Sequence, residues 1–445
     1  MGRHFFPRAN PGGGRSSSSR RGRAHPSSVM VSKLNNSSTN SCSNNSSSTS
    51  RGTGKLRCFQ DVRCIAIACL VMAVVWLAPT LFHGVKVHRV EVPDVRQNHH
   101  TVRGGRDSGF RGDAILEGPG PPPDAPVVAF VISLTSLELP GAYSILDAAE
   151  VLIGSILRVC TFSSYACDMV ALVLPGVPLE GRDHIENMGW TVLEKELPVA
   201  VEDIENQQYR EHVVKSGCCG ADEFLKLYAY ALTDYHRVLH LDVDTLLLHP
   251  MDELLESDFS LLYTTDPAMS NGHPVLPVQG GFMLVRPDLE VYEKLRAVVR
   301  EGDWRQGMGW GGSKIGWFYG GATIQGLLPY YYTILAPGES LEVDRCVYNH
   351  MSDSDLCRSE KYSVVATFNP KIDQSASAVL PIKSVHFTQS CLKPWLCVPL
   401  KTVQGGACPS LQHAWLEGRR TIMTDRGLMF TEACDKRNYS PIPRG

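Results

Sequence analysis

The sequence predicts an α/β body built on a mostly parallel sheet and carried behind a single membrane-spanning helix. Two observations lead there. After residue 126, apolar runs of strand length alternate with helical stretches, the pattern of a parallel sheet covered on both faces. Ahead of them, Cys64–Phe82 (CIAIACLVMAVVWLAPTLF) runs for 19 residues without a charge, close to the ~20 needed to span a bilayer.

The formal net charge of −3 over 445 residues hides a division. Residues 1–63 carry 11 Lys and Arg against the single acid Asp61, and the rest carries 32 basic against 45 acidic residues. The first segment, rich in Ser and Asn, is too polar to bury a core and reads as a disordered tail. Without a fold, its basic residues mark topology or touch anionic lipid rather than bind nucleic acid.

Cys64–Phe82 lies too far from the start for an ordinary cleaved signal, and Pro79 is tolerable in a membrane helix. Arg51, Lys55, Arg57 and Arg63 precede it, which favours a cytoplasmic tail and a luminal or extracellular body. On that orientation Asn35, Asn36, Asn44 and Asn45 stay unglycosylated, whereas the Asn438-Tyr439-Ser440 acceptor is open to glycosylation. Residues 83–125 turn to Gly, Pro, Arg and Asp and end in EGPGPPPDAP, a semi-rigid stalk. The expected order is tail 1–63, anchor 64–82, stalk 83–125, body 126–400 and a cysteine-containing extension 401–445. That is a single-pass type II protein of the Golgi or another secretory membrane.

In the body, Val127–Ser133 reads as a first strand, and Tyr143–Cys160 as a helix with Leu146, Ala149, Leu152, Ile153 and Ile156 on one broad face. Met169–Pro175 is a second strand, Ala221–Thr233 a helix and Arg237–Leu241 a third strand. SLLYTT (260–265) and GGFMLV (280–285) add strands, and Asp288–Arg300 a helix starting after Pro287. Ten of the 14 cysteines lie after residue 125, and an oxidising compartment permits disulfides, expected chiefly among the six after residue 340. Which cysteine pairs with which stays open. No CxxC pair supports a structural zinc site.

In such sheets ligands collect beyond the carboxyl ends of strands. Asp242-Val243-Asp244 follows Arg237–Leu241 at once. Two carboxylates at that spacing can share a hard divalent cation, which would neutralise a diphosphate leaving group. Alone, an Asp-x-Asp also occurs by chance in a solvated turn. A phosphatase-type Asp-x-Asp-x-Thr is disfavoured, because Thr245 comes one place too early.

The neighbouring residues give the pair a context. FLKLYAYALTDYHRVLHLDVDTLLLHPMDELL, PVQGGFMLVRPD, IQGLLPYYY and HFTQSCLKPW, in that order over roughly Ala125–Trp395, resemble four blocks of glycosyltransferase family 8, the glycogenin-like nucleotide-sugar transferases. The resemblance implies a GT-A-like nucleotide-diphospho-sugar transferase fold and a retaining, Mn²⁺-dependent transfer of a hexose or related sugar from a UDP-sugar to a luminal glycan or glycoprotein. It implies Asp242, Asp244 and His386 as metal ligands, and a His beside two carboxylates suits Mn²⁺ better than Ca²⁺. It further implies Lys393 on the diphosphate, Lys226 on the donor with a catalytic role, Gln279 and Gly280 beside the sugar, and Asp266 and Gln325 at the reacting centre. Thr135 and Tyr143 would lie near the nucleotide base.

Ile324 departs from the family, which has Asp before the glutamine. The alternative of a non-catalytic, membrane-anchored sugar- or nucleotide-binding protein draws on that departure. Between the blocks, Gly302–Gly321 is dense in Gly and Trp, as a loop closing over a donor would be. Trp310, Trp317 and Trp395 are candidates for stacking on an acceptor sugar, with packing in the core the competing role. Donor sugar, acceptor, linkage and oligomeric state are not specified by the sequence.

Overall fold

The computed structural model describes residues 118–444, apart from 140–141, 218, 271, 352–356, 358–361, 365–379, 389–390 and 399–405. The tail, the anchor and almost all of the stalk expected above lie outside the described residues. Among the described residues no helix is long and apolar enough to cross a membrane.

In chain order, β1 (Val127–Leu134), α1 (Tyr143–Cys160), β2 (Ala166–Val173), α2 (Leu179–Asn187) and β3 (Thr191–Glu194) make the first half of the sheet. α3 (Gln207–Val213) and a 3₁₀ helix, Gly220–Tyr230, lead into β4 (Arg237–Leu241) and β5 (Thr245–Leu247). α4 (Asp252–Leu255), β6 (Leu261–Thr265), β7 (Val278–Val285) and α5 (Leu289–Glu301) follow. The hairpin β8 (Trp304–Arg305) and β9 (Gly309–Trp310) precedes α6 (Ile324–Tyr330), β10 (Ser340–Glu342) and α7 (Arg345–Tyr348). The last elements are β11 (Tyr362–Ser363), β12 (Leu380–Pro381), β13 (Ser384–His386), α8 (Cys408–Asp425), β14 (Cys434–Asp435) and β15 (Asn438–Tyr439).

Seven strands form one sheet in the order β10-β6-β7-β4-β1-β2-β3. β1 pairs in parallel with β2 and β4, β2 with β3, and β6 with β10, while β7 runs antiparallel to both β4 and β6. The expected mixed, mostly parallel α/β sheet is therefore present. β1 is apolar at every position but Ser133 because both of its faces are covered. Val128, Phe130, Ile132 and Leu134 point into one layer, with Leu146, Ala149, Leu152, Ile153 and Ile156 of α1. Ala129 and Val131 point into the other, with Phe224, Leu225 and Leu227 of the 3₁₀ helix and Ile324, Leu327 and Leu328 of α6. Each such Leu or Ile contributes about 1.5–3 kcal/mol by burial.

The helix expected at Ala221–Thr233 is a 3₁₀ helix, Gly220–Tyr230. Three residues per turn bring side chains i and i+3 into line, which places Glu223 over Lys226. α5 ends one residue beyond expectation, with Asp288 as its N-cap accepting from the amides of Glu290 and Val291 and Gly302 closing it in the left-handed region at φ 66°.

The C-terminal extension packs into the body. Leu411, Trp415, Ile422 and Met423 of α8 share a third apolar cluster with Ala148 and Val151 of α1 and with Phe387 and Trp395. Beside it, the fully buried carboxylates of Asp147 and Glu150 meet cations from the extension. Arg444 donates to Asp147 at 2.5 Å, the Tyr439 hydroxyl donates at 2.7 Å, and Arg426 pairs with Glu150. Removing one partner of such a buried pair leaves a charge stranded, a loss of about 3–5 kcal/mol.

Among the described residues all six cysteines after residue 340 are bridged, as Cys346–Cys357, Cys391–Cys408 and Cys397–Cys434, and Cys160–Cys167 forms a fourth bridge. Asn438 is exposed on β15.

Candidate metal and donor site

The site begins where β4 ends. Leu241 is the last residue of that central strand, and Asp242 hydrogen-bonds back to the carbonyl of Gly281 on β7 at 3.2 Å. The chain then turns, the Thr245 amide reaching the Asp242 carbonyl at 3.1 Å, and enters β5. β5 pairs antiparallel with β13, so that Thr245 faces His386. The Phe387 amide bonds the Asp244 carbonyl at 2.9 Å and fixes the register. One ligand atom from each of Asp242, Asp244 and His386 thus falls within 4.8 Å of the others. His386 Nε2 is 3.2 Å from Asp244 Oδ1 and 3.7 Å from Asp242 Oδ2.

Space for an ion is built into the backbone. A Cβ at Gly281 would meet His386 Cε1 at 2.6 Å, Asp242 Oδ2 at 2.8 Å and Gln279 Oε1 at 2.9 Å. The missing side chain leaves open the place where the three side chains converge, and one imidazole with two carboxylates is a donor set that would fit Mn²⁺.

Two lysines flank the group. The buried Lys226 donates to Asp242 Oδ1 at 2.9 Å and to the Gly280 carbonyl at 3.2 Å, and it pairs with Glu223 Oε2 at 2.9 Å. Lys393 pairs with Asp244 Oδ2 on the opposite side. Counting Glu223, Asp242 and Asp244 against the two ammonium groups leaves one negative charge, which a proton on His386 cancels.

The ionisation shifts follow from this balance. Burial works against the Asp244 carboxylate, but His386 and Lys393 outweigh it and hold its pKa well below the usual range. Asp242 is lowered too, with Lys226 and His386 overcoming burial and the neighbouring Asp244. Burial alone would lower His386, yet Asp244 and Asp242 push it above the usual 6.5. Lys226 is likewise held charged by Asp242 and Glu223 against its burial. Deeper in the sheet, burial and the charge of Lys226 bring His240 down to about 3, so it stays neutral and shares a 2.9 Å hydrogen bond with Ser133.

A metal needs His386 without its proton, so binding releases about one proton and strengthens as pH rises through neutrality. Below the raised pKa of His386, affinity should fall about tenfold per pH unit. Mn²⁺ titrations between about pH 6 and about pH 8 check this, and a pH-independent affinity would remove His386 from the ligand set.

The remaining expected residues are placed as follows. Gly280 presses on the Lys226–Glu223 pair: a Cβ there would meet Lys226 Nζ at 3.2 Å, Ile324 Cγ2 at 3.5 Å and Glu223 Oε2 at 3.6 Å. Gln279 is buried, and its Oε1 accepts from the Gly281 amide at 2.5 Å. Gln325, half-buried near the start of α6, packs on Gly320. Thr135 follows β1 at its carboxyl end, one strand over from Asp242 in the parallel pair β1–β4. Tyr143 opens α1 and packs half-buried against the core. Asp266 is 2% exposed, and its Oδ1 caps the short turn Pro267–Met269 through the Ala268 amide at 3.0 Å.

Of the three tryptophans weighed between an acceptor subsite and the core, two are core residues. Trp310 is fully buried, donates to the Gly321 carbonyl at 2.9 Å and packs edge-on against Tyr209. Trp395 is buried against Trp415 at 5.5 Å between ring centroids. A Gly-rich sequence suggested mobility, but the carbonyls this loop turns inward give the Trp310 and Trp304 indoles their buried acceptors. Trp317, at 41% exposure, keeps an accessible ring.

Sequence reasoning missed Glu223 and Gly281. The i,i+3 relation of Glu223 to Lys226 could have pointed to the first. For Gly281 only the neighbouring Gly280 was singled out, and strand alternation puts the two on opposite faces. A cavity of about 710 Å³ lies elsewhere, between α1 and α8, and none of the three ligand residues lines it.

No family model and no curated protein sequence matches this chain. Solved structures similar to it include the WbbM bifunctional glycosyltransferase in its apo form, at TM-score 0.39 and 16% identity over 68% of this chain and 51% of that one. Mouse xyloside xylosyltransferase 1 follows at TM-score 0.37 and 13% identity, over 58% and 97%. The galactosyltransferase LgtC in complex with donor and acceptor sugar analogues gives TM-score 0.36 and 13% identity, over 68% and 97%. The chain spans about half the length of WbbM. Superpositions this loose transfer neither a fold family nor an activity, so the chemistry rests on the residues described above.

Proposed function

We propose that the protein is a metal-dependent glycosyltransferase that moves a hexose or related sugar from a UDP-sugar to a glycan or glycoprotein. The observation that carries this reading is the convergence of Asp242, Asp244 and His386 around the space left by Gly281, at the carboxyl end of a central parallel strand and between two lysines. Mn²⁺ fits the donor set, and when bound it would supply a Lewis acid that neutralises charge on a departing diphosphate.

The chain's own residues divide the remaining work. The transfer breaks the bond from the sugar's anomeric carbon to the diphosphate, whose oxygen keeps the electron pair, and forms a bond to an acceptor hydroxyl oxygen. Lys393, 40% exposed, can move from Asp244 to the diphosphate, where a mobile ammonium stabilises the leaving charge. Lys226 is too enclosed to leave its two carboxylates and acts by orienting Asp242. Gln279 and Gln325 can donate and accept hydrogen bonds but hold no proton to exchange at neutral pH. On this reading the hydroxyl proton passes to the departing diphosphate oxygen, which gains the charge. Retention of configuration is implied by the family resemblance alone.

The non-catalytic reading draws on Ile324, fully buried against Gly280 where the family resemblance has an acid. A panel of UDP-sugars incubated with the full-length protein and Mn²⁺ separates the two. Release of UDP from one donor supports transfer, and UDP binding without release from any donor supports a binding protein.

The topology is proposed on the uncharged Cys64–Phe82 run, the basic residues before it and the four disulfides, which suit an oxidising lumen. It predicts that a glycosidase removing N-glycans increases the mobility of the protein expressed in secretory cells, and that Asn438→Gln abolishes the shift. Glycans on Asn35, Asn36, Asn44 or Asn45 instead would reverse the orientation.

A further inference from the structure

Lys393 sits on a seven-residue stretch, Cys391–Cys397, that the C-terminal extension holds through two disulfides, a hydrogen bond and a ring contact. Cys391, two residues before the lysine, is bridged to Cys408 at the start of α8, with Cα atoms 5.4 Å apart. Cys397, four residues after it, is bridged to Cys434 on β14, at 5.5 Å. Between them, the buried amide of Gln412 on α8 donates to the carbonyl of Leu392 at 2.7 Å, directly beside Lys393. Trp395 packs on Trp415 of α8, and the Lys393 ammonium lies 5.8 Å from the centre of the Trp395 ring.

The stretch has little regular structure of its own. Its one element is the short 3₁₀ turn Pro394–Leu396, which ends on Cys397 in the left-handed region at φ 55°. Backbone of this kind keeps a defined path only where it is tied from outside. Every tie named above comes from residues 408–434, a part of the chain that the family resemblance does not cover.

We propose that the C-terminal extension is a functional part of the donor site: Gln412 and the Cys391–Cys408 and Cys397–Cys434 bridges are positioning residues that set where Lys393 meets a nucleoside diphosphate. They touch no reacting atom. Their effect passes through the backbone at Leu392 and Cys397 to the lysine. The long, rotamer-rich Lys393 side chain covers many directions, and fixing its Cα restricts those in which the ammonium meets a diphosphate. This rests on the donor-site reading of Lys393 given above.

The test uses the full-length protein, with UDP in the presence of saturating Mn²⁺ as the probe. Gln412→Leu, which leaves every bridge in place, and the paired change Cys397→Ser with Cys434→Ser should each raise the Kd for UDP by roughly tenfold, the order expected for one misplaced charge-assisted contact. Mn²⁺ binding without nucleotide should be unchanged, since Asp242, Asp244 and His386 are held by β4, β5 and β13. In a Lys393→Ala background the same changes should cost nothing further. Gln412→Asn offers a shorter amide and should fall between Leu and wild type. An unchanged Kd, or a loss that persists in full without Lys393, overturns the proposal.

Hydrogen exchange of the Leu396 and Cys397 amides, which bond to the Lys393 and Pro394 carbonyls, gives a second readout that needs no ligand. Faster exchange in the tether variants upholds the positioning, and unchanged exchange overturns it. If the wild-type protein takes up no UDP, the donor-site reading fails, and the exchange data still decide whether the extension holds this stretch.

Discussion

Asp244→Asn is expected to abolish Mn²⁺-dependent turnover while leaving the protein folded. Asn keeps the shape of the side chain and removes its charge. Asp244 is 6% exposed, lies 3.2 Å from His386 through one oxygen and pairs with Lys393 through the other. Despite burial it stays ionised far below neutral pH, because His386 and Lys393 favour the charged form. The neutral amide gives a divalent ion one carboxylate instead of two, and it removes the carboxylate charge that Lys393 pairs with there. Metal affinity should drop at least ~100-fold, and UDP-sugar turnover by about 10³ or more. Isothermal titration with Mn²⁺ and a UDP-release assay measure the two. Unchanged affinity would remove Asp244 from the ligand set, and unchanged turnover would show that any metal bound there is not used in the reaction.

Gly281→Ala is expected to do nearly as much harm without touching a ligand. The added methyl would lie 2.6 Å from His386 Cε1, 2.8 Å from Asp242 Oδ2 and 2.9 Å from Gln279 Oε1, all closer than real Cβ contacts. His386 and Asp242 are held by strand pairing and by Lys226, so neither can retreat without breaking those bonds. The methyl takes the volume an ion would fill. Mn²⁺ affinity should fall by ~10²-fold, with a moderate loss of stability of about 1–3 kcal/mol from overpacking a buried strand. Gly280→Ala is the internal comparison: its nearest neighbour is Lys226 Nζ at 3.2 Å and it points away from the ligands, so metal affinity should change much less. Equal effects of the two substitutions would show that general damage to β7, and not the space at the ligands, is responsible.

Much of this was legible in the sequence, for reasons that differ by element. β1 was legible because a strand buried on both faces is written as a nearly unbroken apolar run, and β4 and β7 from shorter apolar stretches, Val238-Leu239 with Leu241 and Phe282–Val285. α1 and α5 were legible from one-sided periodicity. The segment before β4 was read as an α-helix because its apolar residues suit either helix. The 3₁₀ form follows from packing on the β4–β7 face, and it brings Glu223 over Lys226. Trp310 and Trp395 were ambiguous for a related reason, since a ring that stacks on a sugar and a ring that fills a core have the same composition signal.

By itself the sequence determined a mostly parallel sheet and a pair of carboxylates at the end of its central strand. Both are local properties, written in the periodicity of a few residues and in the two-residue spacing of Asp242 and Asp244. Tertiary structure decided that His386, named in the sequence only through the family resemblance, lies within reach of both carboxylates, because that requires β13 to pair with β5 in the register Thr245 to His386. It also decided that Gly281 keeps the space open, that Glu223 shares Lys226 with Asp242, and which cysteines bind Lys393 to the C-terminal extension. Each of these joins residues distant in the chain, brought together by burial and strand pairing, so no short window of sequence contains them.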